Sequence, residues 1–456
     1  MDQAQPLKQP LTRRNFISNL ALTAGSLGGA ALLDACASGG TASNSSTVSF
    51  MIFDSEFVKA ERDEFSRRNP DIKLKFIPFD ATRLNASIVA GNPPDLVRTA
   101  GAEEISYIVA RGLATNLDPY FTKSSVLKVS DLESINNVYR WDGKTQGQGP
   151  RYGMAKDWSP DATVWYNKKL FDQAKVPYPS ATEPMTYDQL LNIAKQVTVR
   201  QGSKITTYGL CMAWGEYTTY GGIVQMLAQK GLSLFSADYT TSNFTDPEVK
   251  KILQWYVDWA QAHVGPSPVD PDPNWSGTLF TAERAAMMSY GYWYQGFITG
   301  TNGSGVNKLS DHVGYAPAPL WGSNRLSTTF SRTGVYMSSA SKNKDAAWKL
   351  YEYYMAGKPA QNRSSSGYGV PSLTSFLPNL PHNTPFYQAT YSTLQSELAH
   401  GGTLHFNPYA TGDQINSLIV KFIEPVMKGQ TSLDEGALNL KNATDALLQQ
   451  GKSLIG

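Results

Sequence analysis

The sequence predicts an α/β protein of more than one lobe, and three observations carry that prediction. The chain has 456 residues, too many for one core, so it divides into two or more packed units. Between residues 47 and 98, β-rich stretches alternate with stretches of helical periodicity over short connections, the pattern of a parallel sheet covered on both faces. Further along, the clearest apolar patterns recur at helical spacing, which adds helices.

Residues 1–35 have the parts of an export signal. Thr12-Arg13-Arg14-Asn15-Phe16-Ile17 resembles the twin-arginine (Tat) consensus, and the run Ile17–Leu33 is apolar but rich in Ala, Gly and Ser. That run is short and weakly hydrophobic for a membrane span. Leu33-Asp34-Ala35-Cys36 resembles a bacterial lipobox. On that reading Cys36 becomes the lipidated first residue of the mature chain, anchored to the membrane on its extracytoplasmic side. Residues 36–46 follow as a tether. Positions 37–47 hold no large apolar side chain and behave as a flexible coil with a reach of about 18 Å. The later chain has no apolar run of membrane-spanning length, so the body is expected to be soluble.

TVSFMIF (47–53), β-branched and aromatic, reads as a strand. Phe57, Val58, Glu61 and Phe65 recur near helical spacing before Pro70, predicting a helix. Ile72, Leu74 and Phe76 alternate as in a second strand. Residues 81–90 form a short helix ended by Gly91 and a Pro pair, and DLVRTAG (95–101) is a third strand running into a loop. Ligands of such sheets bind at the carboxyl ends of the strands, here FDSE (53–56) and RTAG (98–101). Residues 243–265 are the clearest helix, with Thr245 and Glu248 spaced as a capping box and Pro247 in the first turn. Val249, Ile252, Leu253, Tyr256 and Ala260 make its buried stripe, flanked by the packing residues Trp255 and Trp259. Residues 341–357 and 431–450 are further amphipathic helices.

Composition excludes several classes of function. The net charge is +2 with no basic block, which argues against nucleic acid as a partner. The two cysteines, Cys36 and Cys211, cannot build a disulfide framework. Cys211 lies in apolar, strand-like GLCMA and reads as a buried, inert thiol. The five histidines show no metal-ligand spacing, so neither a metal nor a cofactor is expected. Only 17% of residues are charged, against 24 Tyr and 10 Trp, a chain rich in flat amphipathic faces.

Six motifs in order sharpen the picture. Residues 161–198 contain Tyr166-Asn167-Lys168-Lys169-Leu170-Phe171, a proline-bearing loop, and a helix opened by Thr186-Tyr187-Asp188. FSRRNPDIKLKF (65–76), IVAGNPPDLV (88–97), FTAERAAMMSYGYW (280–293) and TGVYMSSASKNKDAAWKLYEYY (333–354) occupy matching places, followed by GYGVPS (367–372). In this the chain resembles the ABC-transporter extracellular solute-binding proteins of family 1, which include maltose-binding protein, over about residues 47–450. Glu283-Arg284 departs from the Gly-Lys usual in that family's segment.

The resemblance implies an α/β, two-lobed type II periplasmic-binding fold with its ligand in the cleft between lobes. Lobe one would take residues 47–159 and 315–378, and lobe two 163–310 and 385–456. Crossings would lie near 159–162, 311–317 and 380–385, where Pro and Gly tolerate hinge motion. It also implies a monomer that delivers a carbohydrate to the membrane permease subunits of an ABC importer.

A sugar site needs aromatic planes for C–H faces and planar polar groups for hydroxyls. Trp293, after Gly291, is the first candidate platform. Trp214 is the second, with Glu216 close by. Asp157 and Trp158 precede the first crossing, Arg332 sits at a strand end, and Tyr368, Tyr409 and Asp413 should close the other side. Core packing is the competing role for each aromatic; the Gly and polar neighbours of Trp214 and Trp293 favour the cleft. Two rivals stay open: a secreted carbohydrate-active enzyme, which needs a poised carboxylate pair that the sequence does not display, and a carrier of a non-sugar solute such as a polyamine, glycerol phosphate or iron. One Arg and a few acids among many aromatics suit a neutral oligosaccharide best.

Overall fold

Two mixed five-stranded sheets organise the chain. The computed structural model describes residues 46–99, 101–300, 309–330 and 333–455. The export-signal, Cys36 and Arg332 expectations therefore lie outside the described residues, as does nearly all of the expected tether.

The first sheet has the strand order Ile72–Pro78, Ser46–Ile52, Leu96–Arg98, Gly334–Met337, Gly153–Ala155. Its first three strands are parallel, as the β–α–β alternation requires. Gly334–Met337 runs antiparallel to both of its neighbours. Phe50, Ile52, Leu96 and Met337 are buried with Leu350, Tyr351 and Tyr354 of the helix Lys344–Ala356. The Tyr351 hydroxyl donates to the Val335 carbonyl at 3.1 Å, so a buried polar group is satisfied by the sheet it packs on.

The second sheet runs Val313–Ala316, Val164–Asn167, Ala285–Ser289, Lys204–Cys211, Val199–Gln201. Cys211 is buried there and burial pushes its thiol up, consistent with an inert core cysteine. The helix Pro247–Gln261 packs within this lobe's core through Val249, Ile252, Leu253, Tyr256 and Ala260. Trp255 and Trp259 are buried with them, their indole N–H groups donating to the carbonyls of Tyr187 and Leu210, each at 3.1 Å. The cap of this helix differs from the expected Thr245 box: Asp246 accepts from the Glu248 amide at 2.8 Å. Asp is as good a cap as Thr and stands directly before Pro247, so the helix starts one residue later.

Between the sheets the chain first crosses after Ala155 and enters the second at Val164. The return crossing is a correction. Val313–Ala316 pairs residue for residue with Asn167–Val164, so it belongs to the second sheet, and the chain regains the first only at Gly334. Lobe one therefore does not resume at 315. The Gly and Pro of DHVGYAP suggested a hinge, but Val313 and Tyr315 hold a strand and the break begins at Pro317. The two crossings bind each other: the Asp161 amide donates to the Thr328 carbonyl at 3.1 Å, and its carboxylate accepts from the Phe330 amide at 2.9 Å.

Candidate functional site

The first-lobe wall is built at the carboxyl ends of the parallel strands. Glu56 lies just beyond Ser46–Ile52, and Arg98 ends Leu96–Arg98. Arg98 grips the Glu56 carboxylate with two bonds, Nε to Oε2 at 2.7 Å and Nη2 to Oε1 at 3.1 Å. Lys156 Nζ stands 3.5 Å from Glu56 Oε1 and 2.5 Å from Asp157 Oδ2, and Arg363 Nε is 3.9 Å from the same Asp157 oxygen. Burial alone would raise the Glu56 carboxyl, but the charges of Lys156 and Arg98 outweigh it and hold the group below its ordinary value.

A short ladder, Asp157–Trp158 against Val370–Pro371, brings the loop that bears Tyr368 to this wall. Gly369, at φ +89°, makes the approach possible: a Cβ there would lie 3.0 Å from that of Asp157 and would be backbone-strained. Lys156 Nζ lies 5.8 Å from the Tyr368 ring centre, and burial pushes the phenol up, keeping it a hydrogen-bond donor.

The second-lobe wall is aromatic. Gly291 lets the chain turn tightly against the first crossing, since a Cβ there would stand 2.5 Å from the Ser159 Cβ. The Trp293 amide then donates to Ser159 Oγ at 2.9 Å. Its half-buried indole lies nearly parallel to Trp275, with ring centres 6.3 Å apart and 17° between planes, and Phe297 is 5.9 Å away. Behind them, Trp275 Nε1 donates to the Tyr290 hydroxyl at 2.7 Å, and Tyr290 also bonds Glu216. Burial raises the Glu216 carboxyl, partly offset by that bond. Tyr368 of lobe one meets Trp293 edge to face, with ring centres 6.3 Å apart. A cavity of about 450 Å³ opens here, lined by Glu56, Lys156, Arg363 and Tyr368 of lobe one and Phe297 of lobe two. Such a wall offers stacking faces and a central band of donors and acceptors.

Of the residues expected from sequence, the structure brings together Trp293, Tyr368, Asp157 and, through Tyr290 and Trp275, Glu216. It places the others differently. Trp214 packs against Tyr256, ring centres 5.5 Å apart, and its indole N–H donates to Glu424 at 3.3 Å, so it belongs to the helical face of lobe two. Trp158 is buried in the core, 4% exposed. Tyr409 and Asp413 lie where the 404–412 loop joins the lobes. Arg111 donates to the carbonyls of Pro408 and Tyr409, Ser106 to that of Phe406, and Asp413 is exposed in the first turn of Gly412–Met427. Sequence reasoning pointed to the strand ends that bear Glu56 and Arg98 without naming the two residues, and missed Trp275, Phe297, Lys156 and Arg363. Trp275 had the signal that singled out Trp293, a tryptophan among Asp, Pro, Asn and Gly. Lys156 and Arg363 had none, because they come from the first crossing and from a helix distant in sequence.

A model of the bacterial extracellular solute-binding protein family matches residues 45–361. A binding protein of Brucella abortus is 26% identical over 63% of this chain and 66% of its own length. The maltotriose-binding protein of Pyrococcus abyssi is 23% identical over 69% of this chain and 63% of its own. The chain thus spans just under two thirds of these relatives. Among solved structures, an ABC substrate-binding protein from Listeria monocytogenes in complex with cycloalternan superposes with a TM-score of 0.72 at 20% identity, covering 88% of this chain and 98% of that one. That likeness shows the two-lobed fold.

Proposed function

The chain belongs to the bacterial extracellular solute-binding protein family, and we propose that within it this protein captures a carbohydrate, an oligosaccharide, and hands it to an ABC importer. One observation carries the reading: Trp293, stacked on Trp275, meets Tyr368 edge to face beside a cavity that Tyr368, Phe297, Glu56 and Lys156 line. Aromatic planes suit sugar faces, and the charged band suits the hydroxyls between them. The maltotriose and cycloalternan of the relatives' names are in keeping with it.

The protein is a carrier, not an enzyme. Asp157 is held by Lys156 and Arg363, and Asp161 by the Phe330 amide, so neither is poised as the acid or base of a hydrolase. We place the mature chain outside the cytoplasm as a monomer, lipid-anchored through Cys36 after Tat export. A second reading has one observation in its favour. Lys156 and Arg363 line the cavity beside Glu56 and Glu61, and these two cations keep glycerol phosphate as the rival.

A thermal-shift screen of neutral oligosaccharides, polyamines and organophosphates separates them. Stabilisation by oligosaccharides alone is expected. Stabilisation by glycerol phosphate alone would overturn the carbohydrate reading.

A further inference from the structure

Glu103 is a buried acid with nothing to balance it. It follows the strand Leu96–Arg98, in the short helical turn Ala102–Glu104, and is 8% exposed. Its Oε2 is buried without a hydrogen-bond partner, and no ion pair reaches it among the described residues. Other buried acids of the junction are satisfied. Arg98 grips Glu56, and Asp161 accepts from the Phe330 amide.

Both lobes make the niche. A Cβ at Gly101 would collide with Glu103 Oε2, and a Cβ at Gly412, the first residue of the lobe-two helix Gly412–Met427, would stand 2.5 Å from the Glu103 Cγ. Neighbouring contacts join the same segment across the junction. Ala102 and Ile105 are buried with the lobe-two core, and Ser106 donates to the Phe406 carbonyl at 3.2 Å. The titratable groups that face Glu103 are Glu104 on its own turn, Asp161 on the first crossing, Asp413 beside Gly412, and Tyr220 on the lobe-two helix Tyr217–Gln229. Three are acids and one is a phenol, so none of the four offsets a negative charge. Burial first, and Glu104 next, push the Glu103 carboxyl well above its ordinary value.

An ionised carboxylate is unstable in such a niche, because it has lost water and gained only like charges. Either it takes up a proton, or the lobes part at Gly412 and admit water. The sign follows. The support this contact gives the joined form is fully present below the ordinary carboxyl value of 4.5 and is lost as pH rises through the raised value.

We propose that Glu103 is a proton-operated latch between the lobes: protonated, it seats against Gly412, and ionised, it shifts the molecule towards the parted form. This rests on the two-lobed fold and not on the carbohydrate reading, and its test needs no ligand. The test is small-angle scattering of the full mature chain and its Glu103→Gln and Gly412→Ala variants, from about pH 5 to about pH 8. The parent should expand as the pH rises, with a growing radius of gyration. Glu103→Gln cannot ionise there and should keep the compact value throughout. Gly412→Ala places a methyl where the Glu103 side chain stands, so it should be expanded at both ends of the range. Cooperative melting of each variant shows that it is folded. A parent whose scattering is independent of pH would overturn the latch. So would an expansion shared by Glu103→Gln, which would assign the response to another raised carboxyl such as Glu216. A Gly412→Ala variant as compact and as pH-responsive as the parent would show that this contact does not govern the lobes.

Discussion

Trp293→Ala tests the site through its leading residue. The Ser159 hydroxyl bonds the Trp293 backbone amide, not its side chain, so truncation removes the ring without releasing the segment. What is lost is a platform for a sugar face. Trp275, nearly parallel behind it, leaves part of an apolar surface. That places the loss toward the low end for a central aromatic anchor, about 2 kcal/mol, or roughly thirtyfold in Kd. Calorimetry with the best oligosaccharide of the screen reads it directly, with the melting temperature followed in parallel. Trp255→Ala is the contrasting control. That ring is 3% exposed and donates to the Tyr187 carbonyl, so its removal leaves a cavity and loses that hydrogen bond, costing about 3–5 kcal/mol of stability. Ligand affinity of its folded fraction should stay at the parent value. If Trp293→Ala binds as tightly as the parent, the aromatic wall is not the site.

Three other outcomes follow from the same account. Cys36→Ser should move the protein from the membrane to the soluble exported fraction; a variant as membrane-bound as the parent would remove the lipid anchor. Replacing Arg13 and Arg14 by Lys should strand the precursor in the cytoplasm, and undiminished export would mean that the twin arginines do not direct it. Glu56 gives a pH signature. Its folded carboxyl lies below the reference value of 4.5, so its stabilisation is complete above about pH 4.5 and is lost as pH falls through the folded value. Between about pH 5 and pH 3 the parent's melting temperature should fall more steeply than that of Glu56→Gln; parallel slopes would show that the ion-paired band adds no pH-dependent stability.

Much of the fold was legible because local signals agreed with packing. The alternation of Ile72, Leu74 and Phe76 and the stripe of residues 249–260 recur as strand and helix. The return crossing was misread because a short strand beside Gly and Pro resembles a hinge, and only its pairing with Val164–Asn167 identifies it. The site was half legible. Gly and polar neighbours picked out Trp293, which lies half-buried beside Trp275 and Tyr368, but the same signal at Trp214 reflects a half-buried turn packed on Tyr256. Of the band of Arg98, Glu56, Lys156 and Arg363, the strand ends bearing Glu56 and Arg98 were legible and the pairing of the charges was not. Each residue is unremarkable in its own segment, and their charges meet only when strand ends, the first crossing and the helix Lys358–Ser366 converge.

The central claim is that a carbohydrate lies between the lobes at this aromatic and ion-paired wall. A crystal structure of the mature chain with the best oligosaccharide of the screen tests it most directly. The account predicts a sugar ring on Trp293, with Tyr368 on the opposing side and hydroxyls against the Lys156–Asp157 band. A saccharide bound elsewhere on the molecule, or a cleft left empty at saturating ligand, would contradict it.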